Sequence, residues 1–289
     1  MTRPWLGAHM SIAGGPANAL RAGRSIDCDA IQMFTRNANR WTSKDLTPEE
    51  IAEFLQARQE TGLRAVVAHS SYLINLASPE EGLWNRSLAA LVAEMRRCQQ
   101  LGVQDYVLHP GAHMGAGEEA GLSAVSRALD HALAATPATE TEPTAVRILL
   151  ETTAGQGTVL GSRFEHLAWL IAHSSLPERL GVCFDTAHAL AAGYEYRQPD
   201  TYGAMWAHFH AVIGRDRLHA VHLNDSLKDL GSHVDRHEQI GKGFVGLETF
   251  RRLLNDPHMA GLPLLLETPK SDDLHEDIEN LALLRSLFA

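Results

Sequence analysis

Histidine and acidic side chains recur in this chain where short apolar runs stop, the position from which a buried strand can present a metal ligand. Leu180-Gly181-Val182-Cys183-Phe184 ends in Asp185, with His188 three residues further on. Ala65-Val66-Val67-Ala68 ends in His69, Tyr106-Val107-Leu108 in His109, and Arg147-Ile148-Leu149-Leu150 in Glu151. Ala220-Val221 ends in His222, and Pro263-Leu264-Leu265-Leu266 in Glu267. Asp235 and His237 flank Arg236, so that in an extended loop both emerge on one side. A single histidine at a strand end is ordinarily a hydrogen-bonded structural group, but nine such residues converging are a metal site. Imidazole and carboxylate without thiolate suit zinc or manganese, and the many histidines favour zinc. At three or four ligands per ion, with a carboxylate shared, the set supplies about three ions. Glu151, Asp185, Asp235 and Glu267 then face about six positive charges, which makes the cleft net positive and suited to a phosphodiester.

These residues need a frame that gathers them. The apolar runs above, with Trp5-Leu6-Gly7-Ala8-His9 and Ala30-Ile31-Gln32-Met33-Phe34, make eight strands alternating with helical segments. That order predicts an α/β fold, a single TIM (β/α)8 barrel with the metal site at the C-terminal ends of the strands. A chain of 289 residues fits one barrel of about 250, so residues 1–289 are expected to be one domain. Thr47-Pro48-Glu49-Glu50 reads as a helix start with a capping box, Ser78-Pro79-Glu80-Glu81 as a second, and Ser162-Arg163-Phe164-Glu165 as a third. Helices are expected over 18–23, 85–101 and 120–135, and near 199–213, 247–254 and 274–287. The stretch 136–142 is linker-like and is read as a loop insertion on the face away from the site. Gly14-Gly15 before the first helix is a tight turn, with a phosphate cradle as the less favoured alternative.

Composition narrows the function class. Apolar residues make up 45% of the chain, enough for a sizeable core, and no run approaches the roughly 18 apolar residues of a membrane span. Met1-Thr2-Arg3-Pro4-Trp5 carries no secretory segment, so a soluble, cytoplasmic protein is expected. Cys28, Cys98 and Cys183 are odd in number and widely spaced, as reduced packed thiols are. A net charge of −10 argues against a uniformly basic coat for nucleic acid but leaves a locally positive cleft open. No exposed apolar stripe is evident, and a monomer is expected.

Six ordered motifs carry a family resemblance. They are 69–76 (HSSYLINL), His109-Pro110-Gly111, 151–157 (ETTAGQG), Asp185-Thr186-Ala187-His188, His222-Leu223-Asn224-Asp225 and Val234-Asp235-Arg236-His237. Together they closely resemble endonuclease IV, the zinc-dependent apurinic/apyrimidinic endonuclease family, from Gly7-Ala8-His9 to Glu267-Thr268-Pro269. The resemblance implies a TIM-barrel phosphodiester hydrolase of the deoxyribonuclease IV type, acting in base excision repair on double-stranded DNA. It implies cleavage 5′ to an abasic site, leaving a 3′-hydroxyl and a 5′-deoxyribose phosphate. Three zinc ions are implied: one on His69, His109 and Glu151; a second on Glu151, Asp185, His222 and Glu267; a third on His188, Asp235 and His237. Zinc lowers the pKa of bound water to about 7 and stabilises charge on both the entering and the leaving oxygen. Glu151 is the candidate catalytic base.

Tyr72 and Leu73 resemble the family's DNA-inserting wedge, although Tyr72 also reads as a lid over the metals. Asn37, Arg40 and Arg236 are the other candidate DNA contacts. Asn39 stands where many relatives have arginine, with Arg40 following it, and His233 and Leu227 replace basic residues usual in the family. The rival reading is a single-metal sugar isomerase or epimerase of the same barrel superfamily, which the tetrad Glu151, Asp185, His222 and Glu267 resembles. His69, His109, His188, Asp235 and His237 have no ligand role in that reading. A non-catalytic zinc scaffold is disfavoured because structural zinc sites are closed by four ligands and rich in thiolate.

Overall fold

Strands that read as near-continuous apolar runs are those of a parallel sheet covered by helices on its outer face. The computed structural model describes residues 3–289; Met1 and Thr2, part of the segment read for a secretory signal, lie outside it. The strands are β1 (Trp5–Met10), β2 (Ala30–Phe34), β3 (Ala65–His69), β4 (Asp105–Leu108), β5 (Arg147–Glu151), β6 (Leu180–Asp185), β7 (Leu218–His222) and β10 (Pro263–Leu266). β8 (Asp225–Ser226) and β9 (His237–Glu238) form a two-residue antiparallel ladder inside the loop after β7. The eight long strands close into a parallel barrel in the order β1-β10-β7-β6-β5-β4-β3-β2. The architecture is the expected TIM barrel.

The helices are α1 (Pro16–Ser25), α2 (Pro48–Thr61), α3 (Glu81–Gln100), α4 (Glu118–Ala135), α5 (Phe164–Ala172), α6 (Thr186–Ala192), α7 (Pro199–Val212), α8 (Leu247–Leu254) and α9 (His275–Ser286). Among the described residues none is long and apolar enough to cross a membrane. Thr47 caps α2 with the expected reciprocal capping box to Glu50. The other two expected boxes are absent. α3 starts at Glu81, earlier than expected, and Ser78 Oγ instead accepts from Glu80 N in the preceding turn. α5 starts at Phe164 with Arg163 at its cap and no side-chain cap bond, so Ser162 lies one residue too early. Gly15 sits at the α1 N-cap with φ 124°, the tight turn that the glycine pair predicts.

Alternation along the strands sorts the barrel interior from its outside. Ala30, Val67, Val107, Leu149, Cys183, Ala220 and Leu265 form a buried cluster of their own inside the cylinder. The main core lies between strands and helices, with Ile31, Val66, Tyr106, Leu150 and Phe184 among its members. Gly7 takes the corresponding interior place on β1, where a Cβ would come within 1.7 Å of Ala30 O. No side chain fits there, and β1 and β2 can pair only because glycine occupies the position. All three cysteines are free and buried, and burial pushes the Cys28 and Cys183 thiols up to about 12.

Candidate metal centre

Two residues beyond the apolar interior layer, each of the eight strands presents one polar side chain: His9, Gln32, His69, His109, Glu151, Asp185, His222 and Glu267. Six of these are sequence-expected ligands, and the loop after β7 brings Asp235 and His237 to the same place. His188 joins them because Asp185 caps α6, its Oδ1 accepting from His188 N at 2.7 Å. A helix thus begins where β6 ends and turns His188 back over the strand ends.

Hydrogen bonds at the rim dictate which imidazole nitrogens are free. A carbonyl oxygen can only accept, so His69 Nδ1, 2.8 Å from Ser70 O, carries a proton, and Nε2 directs its lone pair at Glu151 Oε2, 3.2 Å away. His109 Nε2 lies 2.9 Å from the same oxygen. His188 Nδ1 donates to Thr152 O at 2.9 Å, and His237 Nδ1 to Glu267 O at 3.2 Å. Their Nε2 atoms then face each other at 3.4 Å, with Asp235 Oδ1 3.1 Å from one and 3.5 Å from the other. His222 Nδ1 faces Glu151 Oε1 at 3.0 Å, Glu267 Oε2 at 3.1 Å and Asp185 Oδ2 at 3.6 Å.

Lone pairs aimed at carboxylates and at one another repel unless positive charge lies between them. In metal-free protein only protons can supply it. Burial opposes charge on His188, yet Asp185, Asp235 and Glu151 hold it well above its ordinary 6.5. His222 and His69 are raised in the same way against burial, the former by the carboxylates of Glu267 and Glu151 and the latter by Glu151. Burial likewise opposes charge on Glu151 and Glu267, but neighbouring imidazoles hold both well below the usual carboxylate range. Asp235 is held down to about 2 by His188 despite burial. A buried ring of opposed imidazole and carboxylate donors fits a metal cofactor, whose binding displaces those protons.

The donor atoms fall into three groups, each within 4.8 Å: His69, His109 and Glu151; Glu151, Asp185, His222 and Glu267; and Asp185, His188 and His237. The third group contains Asp185 where the family resemblance implies Asp235, whose carboxylate lies against His188 and His237 on the open side of the rim, 31% exposed. The groups open into a cavity of about 440 Å³ with an apolar wall of Phe34, Tyr72, Ile74 and Val159. Tyr72 is 71% exposed and meets Phe34 edge-on at 5.2 Å between centroids; Leu73 beside it is half-buried. Asn37, Arg40 and Arg236 are exposed on the surrounding loops.

Two buried polar hubs support these loops, and sequence reasoning did not single out either. Glu94 of α3 binds Arg36 Nη2 at 2.6 Å, Tyr106 Oη at 2.7 Å and Ser71 N at 3.1 Å, and Arg36 also holds the backbone carbonyl of Arg40. It ties the loop carrying Asn37 and Arg40 to the loop carrying Tyr72. Glu94→Ala leaves the guanidinium buried without its partner, so urea unfolding should report a loss of about 3–5 kcal/mol; a loss below about 1 kcal/mol would contradict the tie. Asp225 accepts from Ser226 N and Val245 N at 2.8 Å each, from Gly241 N at 2.8 Å and from Gly243 N at 3.1 Å. One carboxylate thereby closes the loop that holds Asp235, Arg236 and His237. Asp225→Asn sets an NH2 against two of those N–H groups at about 1–3 kcal/mol each. Amide exchange across residues 226–245 should accelerate while the barrel strands keep their protection, and unchanged loop exchange would count against the hub. The signal for Glu94 was an acid on a buried helix face, and for Asp225 its place beside Asn224 after β7.

Known proteins place this geometry. Residues 20–287 match the family model of the xylose isomerase-like TIM barrel. A Chloroflexus aggregans protein named "Probable endonuclease 4" is 51% identical over 284 residues, covering 98% of each chain. One of the same name from Geobacter sulfurreducens is 50% identical, covering 98% of this chain and 94% of that one. The crystal structure of endonuclease IV from Thermus thermophilus superposes with a TM-score of 0.83 at 36% identity, covering 98% of both chains. With half its residues shared along nearly the whole length of its relatives, this chain belongs to the endonuclease IV family of xylose isomerase-like TIM barrels.

Proposed function

We propose that this protein is a DNA repair endonuclease that hydrolyses the phosphodiester bond 5′ to abasic sites in duplex DNA, leaving a 3′-hydroxyl and a 5′-deoxyribose phosphate. In this reading residues 1–289 are one barrel domain, working as a monomer in the cytoplasm with three zinc ions. His69, His109 and Glu151 hold the first; Glu151, Asp185, His222 and Glu267 the second; His188, Asp235 and His237 the third, with Asp185 close behind. Zinc held by these residues would supply Lewis acidity, lowering the pKa of water and offsetting negative charge at the phosphodiester.

The chain's own side chains do the rest. Glu151 directs Oε2 at His69 and His109 and Oε1 at His222, so one rigid carboxylate sets the spacing of two groups. It is fully buried and ionised, and in this reading it assists as the base that takes a proton from the attacking water. Ser70 O, Thr152 O and Glu267 O hold three imidazoles in the tautomer that leaves Nε2 free. An abasic nucleotide has no base to unstack or unpair, so turning it into the cavity costs less than flipping an intact one. Phe34, Tyr72, Ile74 and Val159 offer that sugar an apolar wall. Tyr72 and Leu73 are the wedge, and Asn37, Arg40 and Arg236 contact the backbone, with Arg40 standing next to the Asn39 that replaces the usual arginine.

The observation that carries this reading is the facing pair His188 Nε2 and His237 Nε2 beside Asp235. A one-ion sugar isomerase needs only the tetrad and has no use for that pair or for His69 and His109. The test is an incision assay on a duplex with one abasic site, run beside a ketose isomerisation assay. Chelator-sensitive incision and no isomerisation are expected; isomerisation without incision would reverse the reading.

A further inference from the structure

We infer that Gln32 is a positioning residue of the second metal group, its amide fixing the tautomer of His222 and the orientation of the Glu267 carboxylate at once. Gln32 is completely buried on β2, which supplies none of the nine ligands. Its Oε1 lies 2.8 Å from His222 Nε2, and its Nε2 lies 2.6 Å from Glu267 Oε1 and 3.0 Å from His9 Nδ1. The amide has only one workable orientation. Reversed, its oxygen would sit 2.6 Å from a carboxylate oxygen, acceptor against acceptor.

Three consequences follow from that orientation. His222 must donate from Nε2, so its Nδ1 lone pair points at Glu151, Asp185 and Glu267. Glu267 Oε1 accepts from the amide at 2.6 Å, which turns Oε2, 3.1 Å from His222 Nδ1 and 3.4 Å from Asn224 Nδ2, toward the ion. His9 accepts at Nδ1 and is therefore neutral with its proton on Nε2, in keeping with the burial that lowers its pKa. On the opposite side Asn224 Nδ2 donates to Asp185 Oδ2 at 2.7 Å, so the two amides hold the outer carboxylates of the tetrad between them. His9 and Gln32 thus complete the polar ring: six strands bring ligands, and the remaining two bring the groups that aim them.

This inference rests on the metal reading above, and its test separates the two. Competitive chelator titration of zinc-loaded protein is run on wild type, Gln32→Leu and Gln32→Glu. Gln32→Leu keeps side-chain volume but strands His222 Nε2–H; Gln32→Glu keeps an acceptor for His222 but opposes oxygen to oxygen at Glu267. In both, one of the three ions should dissociate about 10–100-fold more readily while the other two are unchanged. The cobalt-substituted variants should show altered visible bands for that one ion, and kcat for incision should fall with KM for the duplex unchanged. Should Gln32→Leu fail to fold, Gln32→Glu, which fills the same space, gives the reading alone. Wild type holding three ions, beside variants of unchanged affinity and unchanged cobalt spectra, would overturn the inference and leave the metal reading intact. Wild type holding no ion at the second group would overturn both.

Discussion

Glu151→Gln should lower the rate of abasic-site incision by about 10⁴-fold or more, combining loss of a positioned base with loss of charge stabilisation at two ions. The expectation follows from how much one side chain does. Glu151 is fully buried, its two oxygens serve different histidines, and it belongs to two of the three donor groups. An amide carries no charge and turns NH2 toward one of those groups, so the first and second ions should both be weakened. The third group, His188 and His237 with Asp185 and Asp235, shares no atom of Glu151 as its ligand and should keep its ion. Incision assays with elemental analysis of the same preparation separate the two effects. A variant that keeps three ions but loses activity would assign Glu151 to proton transfer alone; one that keeps wild-type activity would remove it from the mechanism.

Removing the metal should make stability depend on pH in a way the loaded protein does not. In metal-free protein His69, His188 and His222 have folded-state pKa values above the ordinary 6.5. The stability they contribute is fully present below 6.5 and is lost as pH rises through the folded values. Glu151 and Glu267 are depressed below the ordinary 4.5, so their contribution is present above 4.5 and lost as pH falls through the folded values. Metal-free protein should therefore be most stable between about pH 4.5 and 6.5 and weaken on the alkaline side. Bound cations replace the protons, so the alkaline loss should vanish on loading, and loading near neutral pH should release protons. Thermal unfolding of chelated and reloaded protein from pH 5 to 9 measures the gap. A gap that stays constant or narrows with rising pH would contradict the tautomer assignments.

The side chains that gather at the strand ends were legible in the sequence because a parallel strand buried on both faces must be apolar until it emerges. The first histidine or acid after the run is therefore the one that reaches the rim, as at His69, Glu151 and Asp185. Gln32 escaped notice for the converse reason. It interrupts an apolar run with a neutral amide, and nothing local says that His222 and Glu267, from distant parts of the chain, will meet it. α6 was not foreseen because seven residues are too few for a periodic signal, and its start depends on Asp185 serving as cap. Ser78 and Ser162 matched the capping pattern but lost to the path of the chain: Ser78 bonds within its own turn, and α5 begins after Arg163. The closing of the loop over Asp235 and His237 rests on Asp225 reaching Gly241, Gly243 and Val245, a pairing without local periodicity.

The most direct test is to count the metal. Elemental analysis of purified, buffer-exchanged protein should find about three zinc ions per chain, lost together with incision on chelation and regained together on reloading. A single ion per chain, with full activity, would contradict the account.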